Sequence, residues 1–350
     1  MTAHRPAPAV TVAIPTWNRA GMLREAIASV LDQSYSELEI WVSDDDSTDD
    51  TEAVVASITD ERVHYVRQRK HSGLHANFNH CLTLGCAPLL VILGDDDLMR
   101  RDNIEHKVAL LDSHPEVGIV HSAISWIDAA GNTLAVYVAP HGFGVKQRPG
   151  DRRRPESGYQ LPEREFLDLA MRSMSPIDLS AGMFRRSLVG SLSFDEADET
   201  SCDVSFWLEV ARGTQIAYLA EPLTARRVHG SELVRSGMSS VAKSGYRVGW
   251  EQIHLQREVK LRFLARAALD PAVRMGLEKT AKRFSSELVL YTLVRCVPRW
   301  RTPADVARDL SAARRIDPAF VLVYPRSLVD LLTRRFRHAI ERRSRLNALE

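Results

Sequence analysis

The alternation of two hydrophobic periods along the first 125 residues constrains this chain more than any other feature. Residues 10–15 form a short apolar run closed by a proline and read as a strand. Leu23, Ile27, Val30 and Leu31 then recur at helical spacing. Residues 39–43 (EIWVS) predict a second strand, and Val54, Val55 and Ile58 a helix after an Asp-rich turn. Residues 63–66 are a third strand, 74–84 a helix, 89–93 (LLVIL) a buried strand and 103–111 a further helix. A chain that switches period in this way buries both kinds of face through crossover units. The expected class is α/β, a mostly parallel sheet flanked by helices.

After residue 116 the pattern changes. Residues 117–122 and 124–127 lead into Asp128-Ala129-Ala130-Gly131-Asn132, a turn signal that predicts an antiparallel hairpin. Residues 139–162 carry little periodicity, four glycines and the run Arg152-Arg153-Arg154, and read as a long functional loop that closes over a bound ligand. Helices are expected at 163–171 and 204–212, and strands at 179–184 and 216–228. From residue 240 onward the pattern is helical, broken near Asp270-Pro271, Val297-Pro298, Asp317-Pro318 and Tyr324-Pro325. A boundary near residue 235 divides an α/β domain, 1–235, from a helical region, 236–350.

Forty-six Lys+Arg against 45 Asp+Glu leave a formal charge of +1, so no global field favours nucleic acid. The four cysteines, 81, 86, 202 and 296, match neither a disulfide framework nor a paired zinc pattern. Residues 1–9 lack an apolar core for a signal peptide, and no apolar run approaches the ~18 residues of a spanning helix. A cytoplasmic protein is expected.

Ligands of open α/β sheets bind beyond the carboxyl ends of the strands. Here those ends read Ile14-Pro15-Thr16-Trp17-Asn18-Arg19, Ser43-Asp44-Asp45-Asp46-Ser47-Thr48-Asp49 and Gly94-Asp95-Asp96-Asp97. Two acidic clusters at one sheet edge repel each other unless something positive is bound, and consecutive carboxylates suit Mg²⁺ or Mn²⁺ together with substrate phosphates. Asp49 and Thr48 also fit helix caps.

Six motifs in order, IPTWNRA, SDDDSTDD, the segment from Gly73 to Asn79, LGDDD, Asp203 before a helix, and RRVHGS at 226–231, resemble the inverting glycosyltransferases of family 2. The similarity covers residues 10–232 and implies the GT-A fold for the first domain. The resemblance places Pro15, Thr16, Asn18 and Arg19 at the nucleotide, with Asp44 accepting a hydrogen bond from the base and Gly73 allowing close backbone approach. It assigns Asp97 as main metal ligand, with Asp95 and His229 beside it. Asp95 or Asp96 falls to the ribose or a bridging water, and Arg227 to the diphosphate. Asp203 becomes the catalytic base, taking the proton of the attacking acceptor hydroxyl. The chain departs from the family pattern at Asp46 (usually Gly), His71 (often Asn), Gly94 (often Asp) and Cys202 (usually Glu).

The implied reaction moves a sugar from a nucleotide-diphosphate donor to a hydroxyl of a glycan, lipid-linked or small-molecule acceptor, with inversion and a divalent cation. Cell-envelope or extracellular polysaccharide synthesis is the expected setting. Arg334, Arg335, Arg337, Arg342, Arg343 and Arg345 interleave with Leu331, Leu332, Phe336, Ile340 and Leu346, a pattern suited to peripheral contact with the inner membrane face. A nucleotidylyltransferase would carry a Gly-rich basic loop after the first strand, and a dehydrogenase G-x-G-x-x-G; IPTWNRAG is neither. The remaining alternative is a catalytically silent nucleotide-sugar-binding scaffold, which would have dispensed with Asp203 and the acidic triplet.

Overall fold

The computed structural model describes residues 7–137, 158–228, 250–296 and 303–316. The chain divides into two compact units, residues 1–246 and 247–350; the expected boundary at 235 lies outside the described residues.

In the first unit, β1 (Val10–Thr16), α1 (Ala20–Leu31), β2 (Leu38–Asp44), α2 (Thr51–Ala56), β3 (Val63–Arg67), α3 (Leu74–Thr83) and β4 (Leu89–Ile92) follow the expected alternation. Then come β5 (Leu98–Met99), α4 (Asn103–Ser113), β6 (Val117–Ile127) and its hairpin partner β7 (Thr133–Tyr137). The unit closes with β8 (Tyr159–Leu161), α5 (Glu163–Met171), β9 (Gly182–Arg185), α6 (Cys202–Val210) and β10 (Gln215–Arg227). All strands join one ten-stranded sheet, ordered β3-β2-β1-β4-β9-β6-β10-β5, with β7 on β6 and β8 on β10.

The first four strands of that order are parallel where they pair with one another. Beyond β4 the sheet is mixed, because β9 runs antiparallel to both β4 and β6. The apolar side chains of β1, β2, β4, α1 and α4 fuse into one core. β4 is buried throughout, as its unbroken LLVI run requires.

Two expectations are corrected. The 139–162 loop ends in regular structure: Gly158 turns the chain at φ 74°, and β8 pairs with β10 at residues 216–218. The rest of that loop, residues 139–157, lies outside the described residues, as does its proposed closing motion. Residues 179–181 form a 3₁₀ turn before β9 rather than a strand, because the Asp178 carboxylate caps the Ser180 N–H.

The described part of the second unit is three helices, α7 (Trp250–Arg266), α8 (Pro271–Cys296) and α9 (Pro303–Ile316). Pro271 and Pro303 open their helices, the position where a missing N–H costs nothing. No helix among the described residues is long and apolar enough to cross a membrane. The Arg-rich stretch from 334 to 345 lies outside them.

Candidate active site

Strand register collects the motifs. Thr16 pairs with Asp44, and Asp44 with Arg67, so β1, β2 and β3 end at one level. The chain leaving β4 delivers Asp95, Asp96 and Asp97 to the same edge. β5 then pairs antiparallel with Thr224 and Ala225, which carries the end of β10 alongside Asp97.

At the β1 and β2 ends the side chains hold backbone. Asn77, on α3, donates to the carbonyls of Thr16 and Ser43 and accepts from Ser43 Oγ and Gln68 Nε2. Asn18, at φ 53°, takes the Thr48 N–H on its side-chain oxygen (2.7 Å) and gives its own N–H to Ser47 Oγ. Asp49 accepts from the Ala20 N–H and from Thr51, tying the starts of α1 and α2 together one residue ahead of the α2 N-cap, Asp50.

Asp44 is fully buried and accepts from the Ser47 N–H and the Tyr65 hydroxyl. Asp45, which sequence reasoning passed over, accepts from the Ser72 and Gly73 N–H groups, each at 2.8 Å, and lies 2.9 Å from His71 Nδ1. It thereby sets the turn that opens α3, where Gly73 sits at φ 89°. The exposed Trp17 ring stacks on His71, centroids 4.2 Å apart.

The triplet at 95–97 is more tightly enclosed. Asp95 accepts from Thr16 Oγ1 (2.8 Å) and Arg19 Nη1 (3.0 Å), and the same Arg19 nitrogen reaches Asp96. Asp97 accepts from Ser180 Oγ (2.6 Å) and from the Arg227 main-chain N–H (3.0 Å). Both partners of Asp97 are neutral donors. Burial, reinforced by the charges of Asp96 and Asp178, pushes its carboxyl up to about 8. A Cβ at Gly94 would fall 3.0 Å from Asp97 Oδ2 and 3.1 Å from Asp96 Oδ1. Glycine at 94 therefore lets the triplet fold back over its own backbone.

Asp203 occupies the first turn of α6 inside the helix, so it is not the N-cap residue, which is Ser201. Ser175 Oγ lies 3.2 Å from its Oδ2. Burial, then the neighbouring charge of Asp178, raises Asp203 to about 6, leaving it mostly ionised at neutral pH. The helix is set by close packing: a Cβ on Gly182 would lie 2.6 Å from the Trp207 ring, so β9 and α6 touch with nothing between them. Asp178, also missed from sequence, pairs with Arg226 at 3.2 Å. Its signal was its place as a turn cap ahead of Ser180.

A profile of glycosyl transferase family 2 matches residues 11–162, the stretch that supplies the first four strand ends. The GalNAc(5)-diNAcBac-PP-undecaprenol beta-1,3-glucosyltransferase of Campylobacter jejuni is 27% identical over 279 residues, 79% of either chain. These matches support a family 2 glycosyltransferase. A putative teichuronic acid biosynthesis glycosyltransferase of Bacillus subtilis, TuaG, is 26% identical over 43% of this chain and 69% of its own.

The fold is that of the GT-A glycosyltransferases. Staphylococcus aureus TarS 1–349, solved in complex with UDP, superposes with a TM-score of 0.57 at 16% identity, covering 89% of this chain and 90% of its own. The Pyrobaculum calidifontis mannosyltransferase PcManGT, solved with GDP-Man and Mn²⁺, gives 0.51 at 18%, covering 94% and 87%.

Within this glycosyltransferase, the structure brings together Pro15, Thr16, Asn18, Arg19, Asp44, Gly73 and the triplet at the first four strand ends, and sets Asp203 beside the 175–180 segment. His229 lies outside the described residues. The Arg227 guanidinium is buried, donating to the carbonyls of Asp96 and Ala129 and pairing with Glu25 of α1. Four of its five donors are thereby held by groups of the protein, which anchors the end of β10. Among the described residues, a compact carboxylate–histidine group forms elsewhere, from Asp102, His106 and Glu221. Arg100 already pairs with both of its acids.

Proposed function

We propose that this family 2 glycosyltransferase transfers a sugar from a nucleotide-diphosphate donor to an acceptor hydroxyl, with inversion and with a divalent cation. The observation that carries the reading is the pairing of two unlike carboxylates near Asp178. Asp97 is enclosed and served by neutral hydrogen-bond donors; Asp203 is partly exposed and ionised near neutrality.

Asp203 accepts the proton of the acceptor hydroxyl as that oxygen attacks the anomeric carbon. The bond from that carbon to the diphosphate oxygen breaks on the opposite side, and the nucleoside diphosphate leaves. A single displacement of this kind inverts the centre. The residues fit a hard cation, since Asp97 is a buried acid hydrogen-bonded by the neutral donors Ser180 Oγ and the Arg227 N–H; Asp97 and Asp95, with His229, would hold it. Bound there, Mg²⁺ or Mn²⁺ would neutralise charge on the departing diphosphate. Thr16, Asn18, Asp44 and Gly73 form the nucleotide end.

The acceptor we propose is a lipid-linked glycan of cell-envelope synthesis, as the activity named for the Campylobacter relative suggests. The basic C-terminal stretch would then meet the membrane surface that carries it. A thermal-shift panel of UDP-, GDP- and dTDP-sugars with and without Mn²⁺ tests the donor half, because a ligand that binds the native state raises its melting temperature. A shift that needs both sugar nucleotide and Mn²⁺ supports the reading, and no shift with any pair sinks it. Donor binding without turnover on any acceptor would favour the silent scaffold.

A further inference from the structure

One short segment touches both ends of the site. Ser175 donates toward Asp203, sharing its hydroxyl with the Ile177 carbonyl, and Ser180 donates to Asp97. Between them Asp178 uses one oxygen to cap the Ser180 N–H and the other to pair with Arg226 Nη1, both at 3.2 Å. β10 sends successive side chains to opposite faces. Arg227 turns toward α1 and Glu25, which puts Arg226 on the face where α6 carries Asp203.

We infer that the Asp178–Arg226 ion pair is a positioning element of the transfer: it pins the 175–180 segment, whose two serines hold Asp97 and Asp203, and supplies one cation facing both acids. The pair is not idle surface charge. The Asp178 side chain is only 18% exposed and Arg226 42%. Among the described residues, the charged or hydrogen-bonding groups around Asp203 are Asp178 and Ser175 from this segment and Arg226 from β10. Cys202, the residue before Asp203, feels the charges of both Asp203 and Asp198. Behind Asp178 stands Lys107 of α4, fully buried, without a hydrogen-bond partner and lowered to about 7 by burial. Asp178 raises both Asp203 and Asp97, and Arg226 lowers both.

The inference rests on the assignment of Asp203 as base for its meaning in catalysis, but its first test needs no turnover. The full-length chain is labelled with ¹³Cγ-aspartate, the Asp203 resonance is identified by its loss in Asp203→Asn, and its titration is followed by NMR. Asp178→Asn removes a negative neighbour, so the Asp203 midpoint moves to lower pH. Arg226→Gln removes the cation, so the midpoint moves up, by about one pH unit or more. Arg226→Lys returns it toward wild type. Opposite displacements from the two ends of one ion pair are not produced by general loosening of the fold.

Nucleotide release from UDP-GlcNAc and GDP-mannose with MnCl₂ is then followed against pH, and the acid limb of turnover moves in the same two senses. Midpoints that stay put, or move the same way in both variants, overturn the inference while leaving the base assignment intact. Full turnover by Asp203→Asn overturns the base assignment, and with it the part of the pair in transfer.

Discussion

Ser180 Oγ donates to Asp97 Oδ2 at 2.6 Å while accepting the Gly94 N–H at 3.0 Å. One hydroxyl thus ties the first and last residues of the acidic loop to a segment more than 80 positions away. Ser180→Ala leaves a buried acceptor and a backbone donor without this partner. We expect a loss of about 1–3 kcal/mol in urea unfolding, with the melting transition remaining cooperative.

The buried Asp97 makes the metal-free protein sensitive to pH in a definite direction. Its carboxyl stands near 8 against an ordinary value of 3.8. Between those limits the folded state binds more protons than the unfolded one, so this group's contribution to stability falls as pH rises. Asp203, raised to about 6, acts in the same sense over a narrower window. Melting temperatures in EDTA should therefore drop from pH 6 to pH 8 in the wild type and drop less in Asp97→Asn. An equal drop in both would show that Asp97 is ionised without cost in the free protein.

Arg227 offers a second stability test. Its guanidinium is 1% exposed and holds β10 to the acidic loop, to Ala129 and to Glu25. Removing it leaves the carbonyls of Asp96 and Ala129 without this donor, a cost of about 1–3 kcal/mol. Arg227→Ala should lower the urea midpoint by a corresponding amount. Unchanged stability with weakened nucleotide binding would return Arg227 to the diphosphate.

The parallel half of the fold was legible because β1, β2 and β4 are buried on both faces and read as apolar runs, while α1 repeats at 3.6 residues. The strand ends then named themselves as Thr16, Asp44 and Asp95–Asp97. What sequence reading lost was set by contacts between distant segments. Asp44 and Asp45 are neighbours of one type, and only the approach of residues 72–73 gives Asp45 its task. Arg226 and Arg227 are likewise indistinguishable until β10 assigns them opposite faces. The 3₁₀ turn at 179–181 was read as strand because Leu179 and Ala181 are apolar, and the Asp178 cap outweighed that pattern. β8 is three residues long, too short to show a period, and exists through its pairing with β10.

The central claim is that Asp97 makes nucleotide-sugar binding depend on a divalent cation. The direct measurement is isothermal titration of UDP and GDP into the full-length protein, in EDTA and in MnCl₂, for the wild type and Asp97→Asn. The account predicts binding of at least one nucleotide that tightens tenfold or more with Mn²⁺, about 1.4 kcal/mol or greater, and a variant in which Mn²⁺ no longer matters. Nucleotide affinity in Asp97→Asn that keeps the full Mn²⁺ dependence would contradict it and take the cation away from the end of β4.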